Sequence, residues 1–97
     1  MIFGPDGRLY VASVSSSVVV AVDPESGAIV ERWGPEEGVH GPDDLTFGPD
    51  GSMFWTDIAV GDVGRRTPDG TTTVVASPGP GVNPITFSDD GRLFVSQ

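Results

Sequence analysis

A five-residue motif that recurs at regular intervals constrains the fold of this chain more than any other feature. Phe-Gly-Pro-Asp-Gly stands at residues 3–7 and again at 47–51, and a weaker copy, Phe-Ser-Asp-Asp-Gly, stands at 87–91. Successive copies are 44 and then 40 residues apart, counted from position 3 to 47 and from 47 to 87. Periods of about 40 to 50 residues are typical of β-propeller blades, so the chain is predicted to consist of repeated blades.

Short apolar segments between turns predict strands throughout the chain. Each motif copy supplies a tight hairpin connection, because Pro presets φ, Asp tolerates a turn and Gly takes a positive φ. The intervening segments are rich in Val, Thr, Ile and aromatic residues, and none has a sustained helical period. Strands are predicted at 8–14, 17–22, 28–33, 44–47, 52–57, 60–66, 71–76, 84–87 and 92–96. Four strands per repeat predict an all-β chain of four-stranded antiparallel propeller blades.

The predicted strands divide the chain into about two and a half blades. Residues 1–43 form a blade that lacks most of its inner strand, residues 44–83 a complete blade, and residues 84–97 the first half of a third. A closed ring takes at least four blades, so this chain is not expected to close one alone. It is either a piece of a larger ring or a unit that self-associates through unpaired blades. The first reading is favoured, because two identical chains would meet with mismatched half-blades.

Aromatic residues repeat with the blade as well. Phe3, Phe47 and Phe87 each begin a copy of the motif. We expect them to pack between neighbouring sheets, where large rings contribute most to burial. Trp33 and Trp55 fall on predicted strands, so core or blade-interface packing is expected for them rather than stacking on a ligand.

Composition narrows the classes of partner. Fourteen acidic residues against five basic ones give a net charge of −9, which argues against a nucleic-acid partner. Without cysteine the chain has neither a disulfide framework nor a thiolate metal site. No apolar run approaches the roughly 20 residues of a membrane span, so no membrane partner is expected. The first residues do not read as a secretion leader, which slightly favours a cytoplasmic location and leaves the question open.

Polar residues at equivalent places in successive blades indicate a site. The turn aspartates Asp6, Asp50, Asp69 and Asp90 are explained by turn chemistry. The loops that lead into the inner strands, 34–44 and 77–84, lie on the opposite face of the blades. Within these loops, Asp43 and Asn83 each stand eight residues before the final Gly of the motif. Their oxygens either converge on the ring axis to hold a hard cation, or each caps the start of its own strand.

These two loops carry a family resemblance. Residues 41–51, Gly-Pro-Asp-Asp-Leu-Thr-Phe-Gly-Pro-Asp-Gly, and 83–91, Asn-Pro-Ile-Thr-Phe-Ser-Asp-Asp-Gly, resemble blade starts of the gluconolactonase, senescence-marker-protein and luciferin-regenerating-enzyme family. The resemblance implies a six-bladed propeller that holds a divalent metal at the top of its channel and hydrolyses lactones or similar esters. It maps two metal ligands onto Asp43 and Asn83. Oxygen donors favour calcium, with magnesium or zinc as alternatives.

The resemblance also implies that the site is incomplete in this chain. The family's first-blade glutamate ligand would precede Met1, and its later aspartate, ligand and base, would follow Gln97. Pro84 stands where the family commonly has Gly, a departure that affects the local backbone. No catalytic residue is assigned, and a small-molecule lactone or ester is the expected partner once a ring is complete. The isolated chain is therefore expected to have little or no hydrolytic activity.

Three further residues are candidates for contact with substrate or for support of the ligands: Asp44, Asp57 and His40. Asp44 follows the first ligand candidate. Asp57 ends a second strand and is expected to rim the channel mouth, where it would add negative potential. His40 is the only histidine, which excludes a zinc site built from several histidines of this chain.

Two other functions on the same fold stay open. One is a non-catalytic, NHL-like propeller that binds macromolecules, although such a module has no need for Asp and Asn at matched positions. The other is a metal-dependent lyase that resembles the streptogramin-ring-opening propellers. Those enzymes rely on His and Glu pairs at the top of the channel, and the single His40 gives them little support.

Overall fold

Ten strands and one short 3₁₀ helix make up residues 1–96, the part of the chain that this computed structural model describes. The helix spans Pro35–Glu37 and belongs to the loop between the fourth and fifth strands. The strands are β1 (Ile2–Phe3), β2 (Leu9–Ser13), β3 (Val18–Val22), β4 (Ile29–Trp33), β5 (Pro42–Phe47), β6 (Met53–Asp57), β7 (Asp62–Arg66), β8 (Thr72–Ala76), β9 (Asn83–Phe87) and β10 (Leu93–Ser96).

The strands form three antiparallel sheets in chain order. β1 to β4 form the first sheet, β5 to β8 the second, and β9 and β10 a two-stranded third. The predicted all-β architecture of successive propeller blades is therefore confirmed. The second sheet begins at Pro42, two residues earlier than expected. Proline is tolerated there because the first residue of a strand need not donate to the ladder.

The repeated motif forms the same turn three times. The N–H of Gly7 donates to the carbonyl of Gly4, and Gly51 and Gly91 make the equivalent bonds to Gly48 and Ser88. All three closing glycines have φ between 81° and 85°, a region that side chains with a Cβ rarely adopt. This requirement explains why the last residue of the motif is Gly in every copy.

Aromatic pairs join one sheet to the next in a repeated geometry. Tyr10 and Phe47 pack edge to face with ring centroids 4.8 Å apart, and Phe54 and Phe87 do the same at 5.0 Å. Each pair joins a second-strand ring of one blade to the motif Phe of the next. The predicted inter-sheet positions of Phe47 and Phe87 are thus confirmed. Phe3 has no such neighbour and is 62% exposed, which corrects the expectation for it.

Both tryptophans lie in the apolar cluster between the first two sheets. Trp33 is 7% and Trp55 1% exposed, as predicted for blade-interface residues. Tyr10, Val19, Leu45 and other buried residues of β2, β3, β5 and β6 complete this cluster. A smaller cluster around Phe54, Val63, Val82 and Ile85 joins the second sheet to the third. The cores therefore lie between blades, and β5, the inner strand of the second sheet, packs against both neighbouring sheets.

The loops divide between two faces of the blades. The loop face carries residues 34–41 and 77–82, which lead into β5 and β9, together with the β6–β7 turn. There the N–H of Ile58 donates to the carbonyl of Gly41, and the N–H of Gly79 to that of Gly61. The turn face carries the three motif copies and the β7–β8 turn at 67–70. Within residues 1–96, no helix has the length and apolar character needed to cross a lipid bilayer.

Candidate functional site

Asp43 and Asn83 both lie at irregular positions where an inner strand begins. Pro42 pairs with Asp57 but Leu45 pairs with Trp55, so β5 carries one extra residue in this interval. In β9, Asn83 pairs with Ser96 and Ile85 with Val95, so Pro84 is the extra residue there. Such bulges redirect side chains and are over-represented next to active sites. The two matched positions of the sequence therefore share an irregularity of the backbone.

The oxygens of these two side chains are not used within the described chain. Asp43 is exposed and Asn83 half-buried. In residues 1–96 neither side chain makes a hydrogen bond or ion pair. A residue that capped its own strand would accept a backbone N–H, so the capping alternative does not describe either one. Both side chains keep free oxygen donors on the loop face.

Asp44 takes the structural role instead. One of its carboxylate oxygens accepts the N–H of Leu45 at 3.0 Å, and the other accepts the N–H of Ile85 at 2.9 Å. The second bond joins β5 to β9 of the next blade, two residues beyond Asn83. Its own N–H donates to Oγ1 of Thr56. Asp44 thus fixes the two inner strands relative to each other, and with them the positions of Asp43 and Asn83.

Asp57 lies in the interior and not at the rim where the sequence placed it. The residue is 1% exposed. Its two carboxylate oxygens accept the N–H groups of His40 and Gly41, each at 2.8 Å, and one also accepts Nε1 of Trp55 at 3.4 Å. A carboxylate occupied in this way holds the 34–41 loop against the end of β6. Its role is to position the loop before Asp43, and the expected contribution to the rim is corrected.

His40 presents its ring to solvent on the same loop. Its backbone N–H is bound by Asp57, while the imidazole makes no hydrogen bond within residues 1–96. The residue lines a cavity of about 650 Å³ between the 34–41 loop and the second sheet, together with Glu36, Trp55 and Arg66. Sequence analysis did not anticipate this cavity. The pairing of Trp55 with Gly64 gives no signal of it, because the indole ring covers the glycine.

The turn aspartates are structural, as their sequence context indicated. Asp50 accepts the N–H of Ser52 at 2.9 Å and pairs with Arg65 at 2.7 Å. These contacts, the backbone bond first, lower the pKa of Asp50. At Asp69 the hydroxyl of Thr67 and then the N–H of Thr71 lower the pKa of the carboxyl. Each carboxylate is stabilised in its charged form by its own turn.

Asp6 shows the same turn chemistry coupled to a buried ring. Partial burial opposes ionisation of Asp6, but hydrogen bonds from the hydroxyl of Tyr10 at 2.8 Å and from the N–H of Arg8 at 3.1 Å lower its pKa on balance. Burial and then the hydrogen bond to Asp6 raise the pKa of Tyr10 to about 12. The phenol is therefore kept neutral as a donor to the turn.

The donor set fits a hard cation but is incomplete in this chain. Asp43 and Asn83 supply oxygen, the ligand type that calcium and magnesium prefer. Six or more oxygens usually surround either ion, and two residues fall short of that number. Among the described residues, no group of three or more His, Asp or Glu side chains is arranged to hold a metal ion. A complete site would need further donors from other blades.

Comparisons with known proteins establish the fold. No protein-family model matches this chain, and no curated protein matches it. Virginiamycin B lyase from Staphylococcus aureus superposes with a TM-score of 0.80 at 22% identity, over 98% of this chain and 32% of that protein. A catalytically inactive variant with quinupristin gives the same values. A streptogramin B lyase gives 0.72 at 18% identity, over 98% of this chain and 38% of its own. The chain thus spans about a third of the propellers it resembles.

Proposed function

We propose that this chain is a segment of a β-propeller enzyme that opens cyclic esters, with elimination as its chemistry. The observation that carries the proposal is the pair Asp43 and Asn83. They occupy matched bulges at the start of successive inner strands and keep their oxygens free on the loop face. In a structural role, those oxygens would accept backbone N–H groups, as the oxygens of Asp44 and Asp57 do.

In this proposal Asp43 and Asn83 are two ligands of a divalent cation, and further blades of a ring supply the others. Calcium or magnesium suits the oxygen donors better than zinc. When bound, such a cation supplies a Lewis acid that polarises an ester carbonyl. Asp44 positions the two ligands by joining β5 to β9. Asp57 positions the preceding loop through the N–H groups of His40 and Gly41.

Elimination is preferred to hydrolysis because of the comparisons. The solved propellers that the chain superposes on are named lyases, and none of those named here is a lactonase. In an elimination, a base removes a proton from the carbon next to the one that bears the ester oxygen. The C–O bond then breaks, a carboxylate leaves and a C=C double bond forms without consumption of water. The lactonase reading rests on the motif resemblance alone and is the second candidate.

The product distinguishes the two reactions. Ring opening by elimination leaves the mass of a cyclic ester unchanged, whereas hydrolysis adds one water. A cyclic depsipeptide is incubated with Mg²⁺ and with this chain joined to further blades that complete the ring, and mass spectrometry of the ring-opened product reads this difference. A product heavier by one water would overturn the lyase assignment and support the lactonase.

A calorimetric titration with Ca²⁺ and Mg²⁺ tests the metal site itself. We expect weak binding, in the millimolar range, because only two donors are present. Asp43→Ala and Asn83→Ala should each abolish it. Asp69→Ala is the matched control, since it removes an exposed carboxylate from the turn face. Binding that survives both ligand substitutions, or that is lost equally in the control, would contradict the proposal.

A further inference from the structure

The cavity between the 34–41 loop and the second sheet is a second site, separate from Asp43 and Asn83 on the loop face. Neither Asp43 nor Asn83 lines it. Its volume of about 650 Å³ falls within the range of roughly 300 to 1,000 Å³ that small-molecule sites occupy. The 34–41 loop and the second sheet with its turns line it, so its walls belong to the described part of this chain.

Strand β7 runs along the cavity and places a charged residue at each end. Asp62, Gly64 and Arg66 alternate along this strand and line the cavity, so they share one face of the sheet. The first and last of them are separated by roughly 13 Å, at about 3.3 Å per residue. Asp62 is at the loop-face end and Arg66 at the turn-face end. The cavity is therefore a trough with opposite charges at its two ends.

The charged groups at both ends of the trough have hydrogen-bonding atoms free for a ligand. At the acidic end, the Asp62 carboxylate makes no hydrogen bond or ion pair within residues 1–96. At the basic end, the Arg66 guanidinium lies 5.4 Å from the ring centre of Trp33 and donates to Oγ1 of Thr72 at 3.0 Å. A guanidinium has five N–H donors, so most of them stay free while the group is held in place.

The middle of the trough is apolar. The Trp55 indole lies so close to Gly64 that a Cβ there would come within 2.2 Å of the ring. Val74, which pairs with Gly64, also lines the cavity and is 60% exposed. An apolar side chain left open between two charged groups indicates a ligand that matches this order.

We propose that this trough binds a zwitterion with an apolar body, the chemistry of a short apolar peptide. Its ammonium group pairs with Asp62, its apolar side chain covers Val74, and its carboxylate pairs with Arg66. An extended tripeptide of roughly 10 Å fits the 13 Å between the charged ends. The net charge of −9 favours approach of the ammonium end.

Tryptophan fluorescence tests this site directly, because Trp33 and Trp55 are the only tryptophans and both adjoin the trough. The probe is the tripeptide Ala-Leu-Ala, titrated into the full chain in free, N-acetylated and C-amidated forms. We expect a saturable change with the free peptide and about five-fold or more weaker binding for each blocked form. No saturable change, or equal affinity for all three forms, would overturn the proposal.

Substitutions assign the contacts. Arg66→Gln should weaken binding of the free peptide about five-fold or more and leave the C-amidated form unaffected, because the pair it removes is already absent there. Arg65→Gln is the matched control, since Arg65 is on the other face of β7 and pairs with Asp50. Val74→Phe, at an exposed position, should block the trough without loss of fold. Equal effects of Arg65→Gln and Arg66→Gln, or unimpaired binding by Val74→Phe, would contradict the assignment.

Discussion

At the scale of single residues, hydrogen bonding separates Asp44 and Asp57, which hold parts of the fold together, from Asp43, whose carboxylate stays free. Asp43 and Asp44 are neighbours in the chain, yet only Asp44 accepts backbone N–H groups, one of them from the next blade. Asp57 is fully enclosed by the loop it binds. A free carboxylate beside two structural ones is the residue pattern expected of a ligand position.

Asp57→Ala should destabilise the chain by about 3 kcal/mol, because it leaves the N–H groups of His40 and Gly41 without an acceptor. Asp57→Asn keeps one acceptor oxygen and should cost less. Urea unfolding measures both. Asp43→Ala, which removes an exposed carboxylate without a partner, is the control and should lie within about 0.5 kcal/mol of the unchanged chain. Equal losses of stability for Asp57→Ala and Asp43→Ala would show that the hydrogen bonds from His40 and Gly41 to Asp57 do not stabilise the fold.

The pKa of Tyr10 predicts a loss of stability at high pH. A folded-state pKa of about 12, raised from 10.0, favours the folded state below pH 10. That contribution is lost as the pH rises from 10 through about 12. Tyr10 is the only tyrosine, so tyrosinate absorbance follows this group alone. Tyr10→Phe should remove this part of the pH dependence. An ordinary midpoint near 10 in the folded chain would refute the expectation.

At the scale of elements, equivalent turns of two blades place different residue types at the same left-handed backbone position. The β2–β3 turn closes with Ser17 at φ 56°, and the β6–β7 turn closes with Gly61 at φ 75°. Both residues stand directly before the third strand of their sheet. Left-handed backbone is strained for serine and not for glycine. Gly61 is also confined, since a Cβ there would lie 2.8 Å from the backbone of Gly79.

Exchanging the two residue types should therefore have opposite effects. Ser17→Gly relieves left-handed strain and should stabilise the chain by about 0.5 kcal/mol, the remainder after the added entropy of the unfolded chain. Gly61→Ser should destabilise it by about 2 kcal/mol or more, through strain and the clash with Gly79. Thermal unfolding of both variants measures the difference. A loss of stability in Ser17→Gly as large as that in Gly61→Ser would contradict this reasoning.

At the scale of the whole molecule, the two ends of the blade array are open. Phe3 corresponds to Phe47 and Phe87, and Phe94 corresponds to Tyr10 and Phe54, the partners in the inter-blade pairs. Phe3 is 62% and Phe94 52% exposed. Each end thus presents one half of a contact that is buried twice inside the chain.

We expect the chain to associate through these ends as its concentration rises. Phe3→Ser combined with Phe94→Ser should reduce association, because it removes both halves of the missing pair. Light scattering over a concentration series measures the effect. Ile29→Ser is the control, as Ile29 is 63% exposed but lies on the outer strand β4. A monomer at all concentrations, or an equal effect of the control, would show that the open ends do not pair.

The local pattern predicted much of the fold. Alternation and turn chemistry located all the strands from β2 to β10 because both depend on neighbours in the chain. The burial of Asp57 was not predictable in this way, since its donors His40 and Gly41 lie 17 and 16 residues earlier. The cavity was not predicted either, because only the fold brings the 34–41 loop next to the outer strands of the second sheet.

The sequence by itself determined the blade repeat, its turns and the equivalent positions of Asp43 and Asn83, because each of these depends only on residue spacing and residue type. Only the tertiary structure decided which carboxylates accept hydrogen bonds within the fold. Asp44 is occupied by an N–H that is 41 residues away, whereas Asp43 meets no partner in residues 1–96. Local sequence sets which groups can bond, but the contacts between blades decide which of them are left free.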